Sequence, residues 1–434
     1  MQLNRYFNCH ITLTKSLKYF SDLIQRPANF SFLKNSVCFY HDMPQKSDNT
    51  LIVQLTKSIR KMGPISVMEF MKEALANSQH GYYVKKDPLG ESGDFITSPE
   101  LNQMFGELIA IWFLNHWTNS GKMKDIQFVE LGPGRGTLTE DILRTCGRLE
   151  HMIKDVNISV HLVEISRALS SIQHDRLCTS KPECTQGKIE GTYMQGTTNN
   201  NVDVFWHSHI DYVPKDKLTY YIAHEFFDAL PIHKFILTKK GWREVFVDVD
   251  GEDPILRYVI SPHPTPASKA FIQGNEQRKH VEVCPQAGVI SLSIAKHVAE
   301  CNGAALFIDY GHFGTEEDTL RAFKSHKQTD VLKNVGDVDI TADVDFKFIK
   351  QTIEHAAEPV HIHGPTSQHD FLKNMGIDVR LMHLLRGCQS SDDRRKIIAS
   401  YEMMVGKTKM GDRFKFLGIT SKEFSSALPG FTVL

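Results

Sequence analysis

The stretch "VELGPGRGTL", residues 129–138, constrains what this chain can fold into more than any other segment. An apolar run ending in Glu130 feeds into Gly132, Gly134 and Gly136, after which Leu138, Ile142, Leu143 and Leu149 recur at helical spacing. A strand that turns through glycines into a helix opens a parallel βαβ unit, and the glycines let backbone N–H groups approach a ligand that side chains would block. The rhythm then repeats. "ISVHLVE" (158–164) alternates apolar residues and leads into a helix carrying Ile165, Leu169 and Ile172; "VDVFW" (202–206) reads as a third strand and "LTYYIAHE" (218–225) as a fourth. Strand and helix in alternation predict an α/β fold, a parallel sheet with helices on its faces.

The loop does not match a phosphate site. A nucleoside triphosphate loop requires GxxxxGK[ST], but no Lys-Ser or Lys-Thr follows Gly136, and Arg135 lies inside the loop. The third glycine of a dinucleotide fingerprint would fall at 137, where Thr stands. Glu130, just before the loop, would repel a pyrophosphate but suits a ligand carrying an ammonium or sulfonium. Glu164 ends the second strand, where α/β nucleotide sites place an acid on the ribose hydroxyls. S-adenosyl-L-methionine has the ammonium, the sulfonium and the ribose, and no phosphate. Glu130, Gly132, Gly134, Gly136 and Glu164 are therefore expected to bind it.

Around this unit the chain divides into three expected parts. Residues 1–45 carry Arg5, Lys15, Lys18, Arg26 and Lys34 against two acids, Asp22 and Asp42, with Leu13, Leu17, Phe20 and Ile24 at helical spacing. This basic amphipathic pattern predicts a mitochondrial transit peptide. Residues 51–120 are expected to form N-terminal helices, broken at Gly63-Pro64 and restarted at Ser66, with a Gly- and Pro-rich loop over 79–100 and a helix starting at Pro99 and Glu100 that carries Met104 through Trp112. Residues 121–434 are expected to hold the sheet domain, with an insertion around 232–286 and a mostly helical C-terminal part. In that insertion "HKFILT" and "WREVFVDV" flank Lys239-Lys240-Gly241 as a β-hairpin, and 251–286 reads as irregular and exposed. "AALFIDYG" (304–311) resumes the sheet.

Lys+Arg 50 against Asp+Glu 51 gives no global charge for a nucleic-acid partner. No apolar run is long enough for an integral membrane segment. The eight cysteines have no CxxC pairing and read as reduced thiols. Cys178 and Cys184, with His207/His209 and His361/His363, make no known zinc spacing, so no metal site is expected.

The strings "GDFITSPELNQMFGELI", "ELGPGRGTLTEDILR", "VHLVEIS", "HEFFDALP", "EVCP", "LFIDYG", "TADVDF" and "FLKNMGI" together closely resemble the MidA family, the mitochondrial class of protein arginine methyltransferase that acts in assembly of respiratory complex I. The resemblance spans about residues 60 to 386. It implies a Rossmann-like class I S-adenosylmethionine-dependent methyltransferase fold, symmetric dimethylation of an arginine on a core complex I subunit as the protein substrate, and residence in the mitochondrial matrix. A homodimer is left open. Many relatives read Asn before "EFFDALP", where this chain has His224, which would place a titratable ring near the methyl donor.

Methyl transfer from a sulfonium needs a positioned nitrogen more than a strong acid or base. A carboxylate binding one side of a guanidinium orients it and biases charge away from the attacking nitrogen. "HEFFDALP" supplies two acids at the fourth strand end: Glu225 is expected as the guanidinium clamp and Asp228 as a second acid or orienter. The alternative for Asp228 is a turn cap before Pro231. Thr97 and Ser98 would cover the cofactor with their hydroxyls, with Phe95 as a lid, or cap the helix at Pro99. Gln368 and His369 could reach the site from the C-terminal part or lie at the surface, and they are left out of the catalytic set. Two rival readings remain at this stage: a non-catalytic assembly chaperone retaining the fold, and a nicotinamide-dependent oxidoreductase.

Overall fold

A computed structural model describes residues 51–85, 97–183, 191–315 and 317–431; the proposed leader and Phe95 lie outside the described residues. The strands in chain order begin with β1 (Ile65–Ser66), β2 (Asp125–Leu131), β3 (Asn157–Val163), β4 (Thr192–Thr197), β5 (Asp203–His207) and β6 (Leu218–His224). Then come β7 (His233–Thr238), β8 (Gly241–Asp250), β9 (Ile255–Ile260), β10 (His280–Val283) and β11 (Ala304–His312). The last are β12 (Arg321–Lys324), β13 (Lys327–Thr329), β14 (Asp339–Thr341), β15 (Val344–Asp345), β16 (Val360–Ser367) and β17 (Phe414–Ser421).

The main sheet runs β16-β17-β11-β6-β2-β3-β5-β4, with β15 added to the end of β11. From β11 through β6, β2 and β3 to β5 the pairing is parallel, as the glycine-loop reading required. From β2 the chain moves outward to β3 and β5, then crosses back to β6 on the other side of β2 and continues to β11. The carboxyl ends of β2 and β6 therefore flank the point where strand order reverses, where open α/β sheets bind their ligands.

Helices cover both faces, so strand residues alternate between two cores. Ile126, Phe128, Val160, Leu162, Tyr220, Ile222, Leu306 and Ile308 pack with the helices Met104–Asn119 and Thr137–Arg148. Val129, Leu131, Val163, Tyr221, Ala223, Ala305 and Phe307 pack with the helices Pro285–Cys301 and Phe346–Ala356. A third core joins the helices Leu51–Met62 and Val67–Ala76 to Val245, Val247 and Val249 of β8 and to Ala322 and Ile340. The restart at Ser66 is a capping box: the Glu69 N–H donates to Ser66 Oγ at 3.1 Å and the Ser66 N–H to Glu69 Oε2 at 2.8 Å.

Several local expectations are corrected. The stretch 251–286 is not irregular: it holds β9, the helix Pro266–Phe271 and β10. Ile255, Tyr258 and Ile260 of β9 are exposed and only Leu256 is buried, so its apolar residues gave no alternation to read. The helix expected from Pro99 is two helices, Ser98–Leu101 and Met104–Asn119, because Asn102 is extended (φ −167°) and its Oδ1 accepts the Met104 N–H. Ile165 is exposed rather than helical, since Ser166 caps a helix starting at Arg167. The C-terminal part is helical through Val405, but β17 then returns to insert antiparallel between β11 and β16.

Candidate active site

Four strands deliver acids to one end of the sheet. Glu130 ends one residue short of the β2 terminus and is 4% exposed, with its Oε2 accepting from the Thr139 hydroxyl. Burial pushes it up to about 7 despite that bond. The three glycines that follow all have positive φ, at 62°, 55° and 81°, so L-residues with side chains would be strained at each. A Cβ on Gly132 would also meet the Phe226 ring at 3.0 Å, which brings the glycine loop against the segment following β6.

Glu164 follows β3. It is buried, its Oε1 accepts the Ser166 N–H at 2.7 Å and its Oε2 accepts Gln173 Nε2 at 3.2 Å. Burial lifts it to about 7 as well, against these bonds. Beside it Ile165 is 56% exposed, an apolar surface open to a ligand's flat ring. Two buried carboxylates near 7 are poorly compensated within the protein and become favourable when a cation or hydroxyl donors arrive. The ammonium and ribose of S-adenosyl-L-methionine supply those groups, so the donor set fits this cofactor.

Glu225 follows β6 in the left-handed region (φ 48°), a strained conformation for a non-glycine residue. The strain is held from outside. The Glu225 N–H donates to the Ile308 carbonyl at 2.9 Å, and Asp309 Oδ2 accepts the N–H groups of Phe226, Phe227 and Asp228 at 3.2, 3.0 and 3.3 Å. Asp309 on β11 therefore caps the 226–228 segment, and the Ala229 N–H bonds in turn to the Asp228 carboxylate, as a turn cap before Pro231 would. Asp228 is 5% exposed, its Oδ2 accepts the Tyr310 hydroxyl and its backbone carbonyl accepts the Ala342 N–H.

Burial, then the charge of Asp228, holds Glu225 well above the ordinary carboxylate range, although the Ser98 N–H bonds to it; Glu100 and Asp339 add to the rise. Burial also lifts Asp228, to about 6, against the Tyr310 bond. Glu225 Oε1 and Asp228 Oδ1 are buried without a hydrogen-bond partner, although His224 Nε2 lies 3.5 Å from Glu225 Oε1. Such atoms are costly unless each meets a donor. His224, packed at 5.1 Å against the Phe105 ring, is pushed down to about 3 by burial, so its ring is neutral here rather than a switch near neutral pH.

The remaining candidates fall into place around this centre. Thr97 is the N-cap residue by backbone alone, its carbonyl accepting the Glu100 and Leu101 N–H groups. Ser98 is fully buried with its hydroxyl 3.9 Å from Met410 Sδ, so its N–H rather than its hydroxyl serves Glu225. Phe227 is core, and Phe226 lies against Gly132. Gln368 and His369 bond to the carbonyls of Met404 and Val405 and brace the C-terminal helices instead of the site. Asp309, Tyr310 and Gln173 were missed. The first two lie in "LFIDYG", but their partners come from β6, which only the sheet order puts next to them.

Comparison with known proteins agrees with this geometry. Residues 108–366 match the family described as "Putative S-adenosyl-L-methionine-dependent methyltransferase". The chain is 46% identical over 401 residues to the Homo sapiens "Protein arginine methyltransferase NDUFAF7, mitochondrial", covering 88% of this chain and 90% of that protein. The Danio rerio protein of the same name is 48% identical over 376 residues, covering 86% and 87%. The fold matches a COG1565 superfamily protein of Burkholderia thailandensis, crystallised with S-adenosyl-homocysteine, at a TM-score of 0.71 and 21% identity, covering 90% of this chain and 98% of that one. With the acids and glycines standing at the reversal point of a class I sheet, the chain belongs to the MidA family of S-adenosyl-L-methionine-dependent methyltransferases.

Proposed function

We propose that the protein methylates an arginine side chain of a protein substrate, forming symmetric dimethylarginine on a core complex I subunit in the mitochondrial matrix, after import directed by residues 1–45. The observation that carries this reading is the pair of buried, unpartnered carboxylate oxygens on Glu225 and Asp228 at the end of β6. A guanidinium offers five N–H donors and a permanent positive charge, which answers both the missing bonds and the raised acids. The names of the mitochondrial relatives, which specify arginine, support the same choice.

In this reading the glycines at 132, 134 and 136 meet the methionine portion of the cofactor, Glu130 faces its ammonium and Glu164 accepts from its ribose, with Thr97 and Ser98 in the cover. When bound, S-adenosyl-L-methionine supplies an electrophilic methyl group. Glu225 holds two guanidinium nitrogens on one side, draws positive charge toward them and leaves the third more nucleophilic. That nitrogen loses a proton as it gains the methyl, and Asp228 Oδ1, on an acid near 6, is assigned to take it. Phe226, which lies against Gly132, keeps water from the pair.

A cellular test follows. Cells depleted of the protein should lose dimethylation at an arginine of a complex I subunit, and re-expression of the wild type, but not of Glu225→Gln, should restore it. Restoration by Glu225→Gln would overturn the assignment of the acid.

A further inference from the structure

Gln173 lies in the helix Arg167–Leu177 and is fully buried. Its Oε1 accepts the indole N–H of Trp206, on β5, at 2.8 Å. Because indole nitrogen can only donate, this bond fixes which end of the amide is oxygen. The amide nitrogen is then forced toward the opposite side, where it donates to the Gly134 carbonyl at 2.7 Å and to Glu164 Oε2 at 3.2 Å. One side chain thus spans the glycine loop after β2 and the acid after β3. A Cβ on Gly136 would lie 3.6 Å from Gln173 Cα and Cγ, so the third glycine packs on the same residue. A core-filling role alone would be met by Leu or Met at lower cost, since a buried amide is unfavourable unless its bonds are made.

We infer that Gln173 is a positioning residue for the methyl donor, holding the Gly134 carbonyl and the Glu164 carboxylate in one fixed relation so that both ends of the ligand are met together. The inference rests on the donor placement proposed above. It adds a requirement that neither loop nor acid carries alone: the distance between them is set by an amide anchored on a third strand. The bond also draws Glu164 toward its ionised form, so its loss affects charge as well as position.

The test is titration calorimetry of the full chain with S-adenosyl-homocysteine from pH 6 to 8.5, for the wild type, Gln173→Leu and Gln173→Glu, with thermal unfolding as the check on folding. The Leu variant removes three hydrogen bonds, one of them to an acid, and its Kd should rise at least about tenfold at pH 8. Wild-type affinity should improve as pH rises, because Glu164 ionises. In Gln173→Glu a second carboxylate is turned on Glu164 and the Gly134 carbonyl, so affinity should worsen over the same range. A merely structural glutamine would not reverse that trend. A folded Leu variant binding within about twofold of wild type, or a Glu variant with the wild-type pH trend, would overturn the inference. Should the Leu variant not fold, the isosteric Glu variant decides. Absence of binding by the wild type would overturn the donor placement itself and the inference with it.

Discussion

Replacing Glu225 by Gln should slow transfer while leaving the fold intact, and the structure gives both the size and an unusual companion effect. The Ser98 N–H needs an acceptor, so the new amide presents its oxygen there and turns its NH2 to the position of the unpartnered Oε1. A donor then faces the donors of the guanidinium, and the charge that held the substrate is gone. A hydrogen bond between charged groups contributes about 1.5 to 3 kcal/mol, which corresponds to a rate reduction of about 10- to 150-fold. Stability should move the other way. Glu225 in the folded protein sits well above the usual carboxylate value, so the folded state binds more protons than the unfolded one, and stability is lost as pH rises through that interval. Gln has no such loss, and the variant should unfold at the same or higher temperature than wild type at pH 8. The assay is single-turnover methylation of a complex I subunit with labelled S-adenosyl-L-methionine, beside thermal unfolding. A folded Glu225→Gln protein transferring at the wild-type rate would refute the clamp and shift attention to acids beyond this strand end.

Three further outcomes are expected. Gly134→Val should abolish cofactor binding by calorimetry, since its φ of 55° strains a branched residue and the side chain would enter the space proposed for the ligand; unchanged affinity in a folded variant would contradict the placement. His224 is held near 3, below its unfolded value near 6.5, so its contribution is complete above pH 6.5 and is lost as pH falls; relative to pH 8, His224→Asn should gain about 2 kcal/mol on the wild type at pH 5, read by urea unfolding at both pH values. Deleting residues 1–45 should leave activity in vitro but strand the protein in the cytosol, and continued mitochondrial residence in fractionated cells would place the signal elsewhere.

What could be read from the residues alone follows from how local each constraint is. The glycine loop was legible because positive φ at three alternate positions leaves few residue choices, and Glu130 and Glu164 because strand ends are set by the same short pattern. Glu225 and Asp228 were legible as acids at a strand end, but the strained turn that aims Glu225 was not, since its cap, Asp309, comes from β11, far along the chain. Gln173 carries no signal at all in sequence: a glutamine on a helix is ordinary until Trp206, Gly134 and Glu164 converge on it. In the fold, β9 escaped notice because Leu256 is its one buried residue and sets no period, whereas the hairpin of β7 and β8 was found from the turn residues between them. The insertion of β17 between β11 and β16 is a matter of strand order, which hydrophobic periodicity does not encode.

The central claim, transfer of a methyl group to an arginine of a protein substrate, is tested most directly by mass spectrometry of purified complex I subunits after incubation with this protein and labelled S-adenosyl-L-methionine. The account predicts label on an arginine side chain, with one methyl on each of its two terminal nitrogens. Label confined to another residue type, or none on any subunit while the protein demonstrably binds the cofactor, would contradict it.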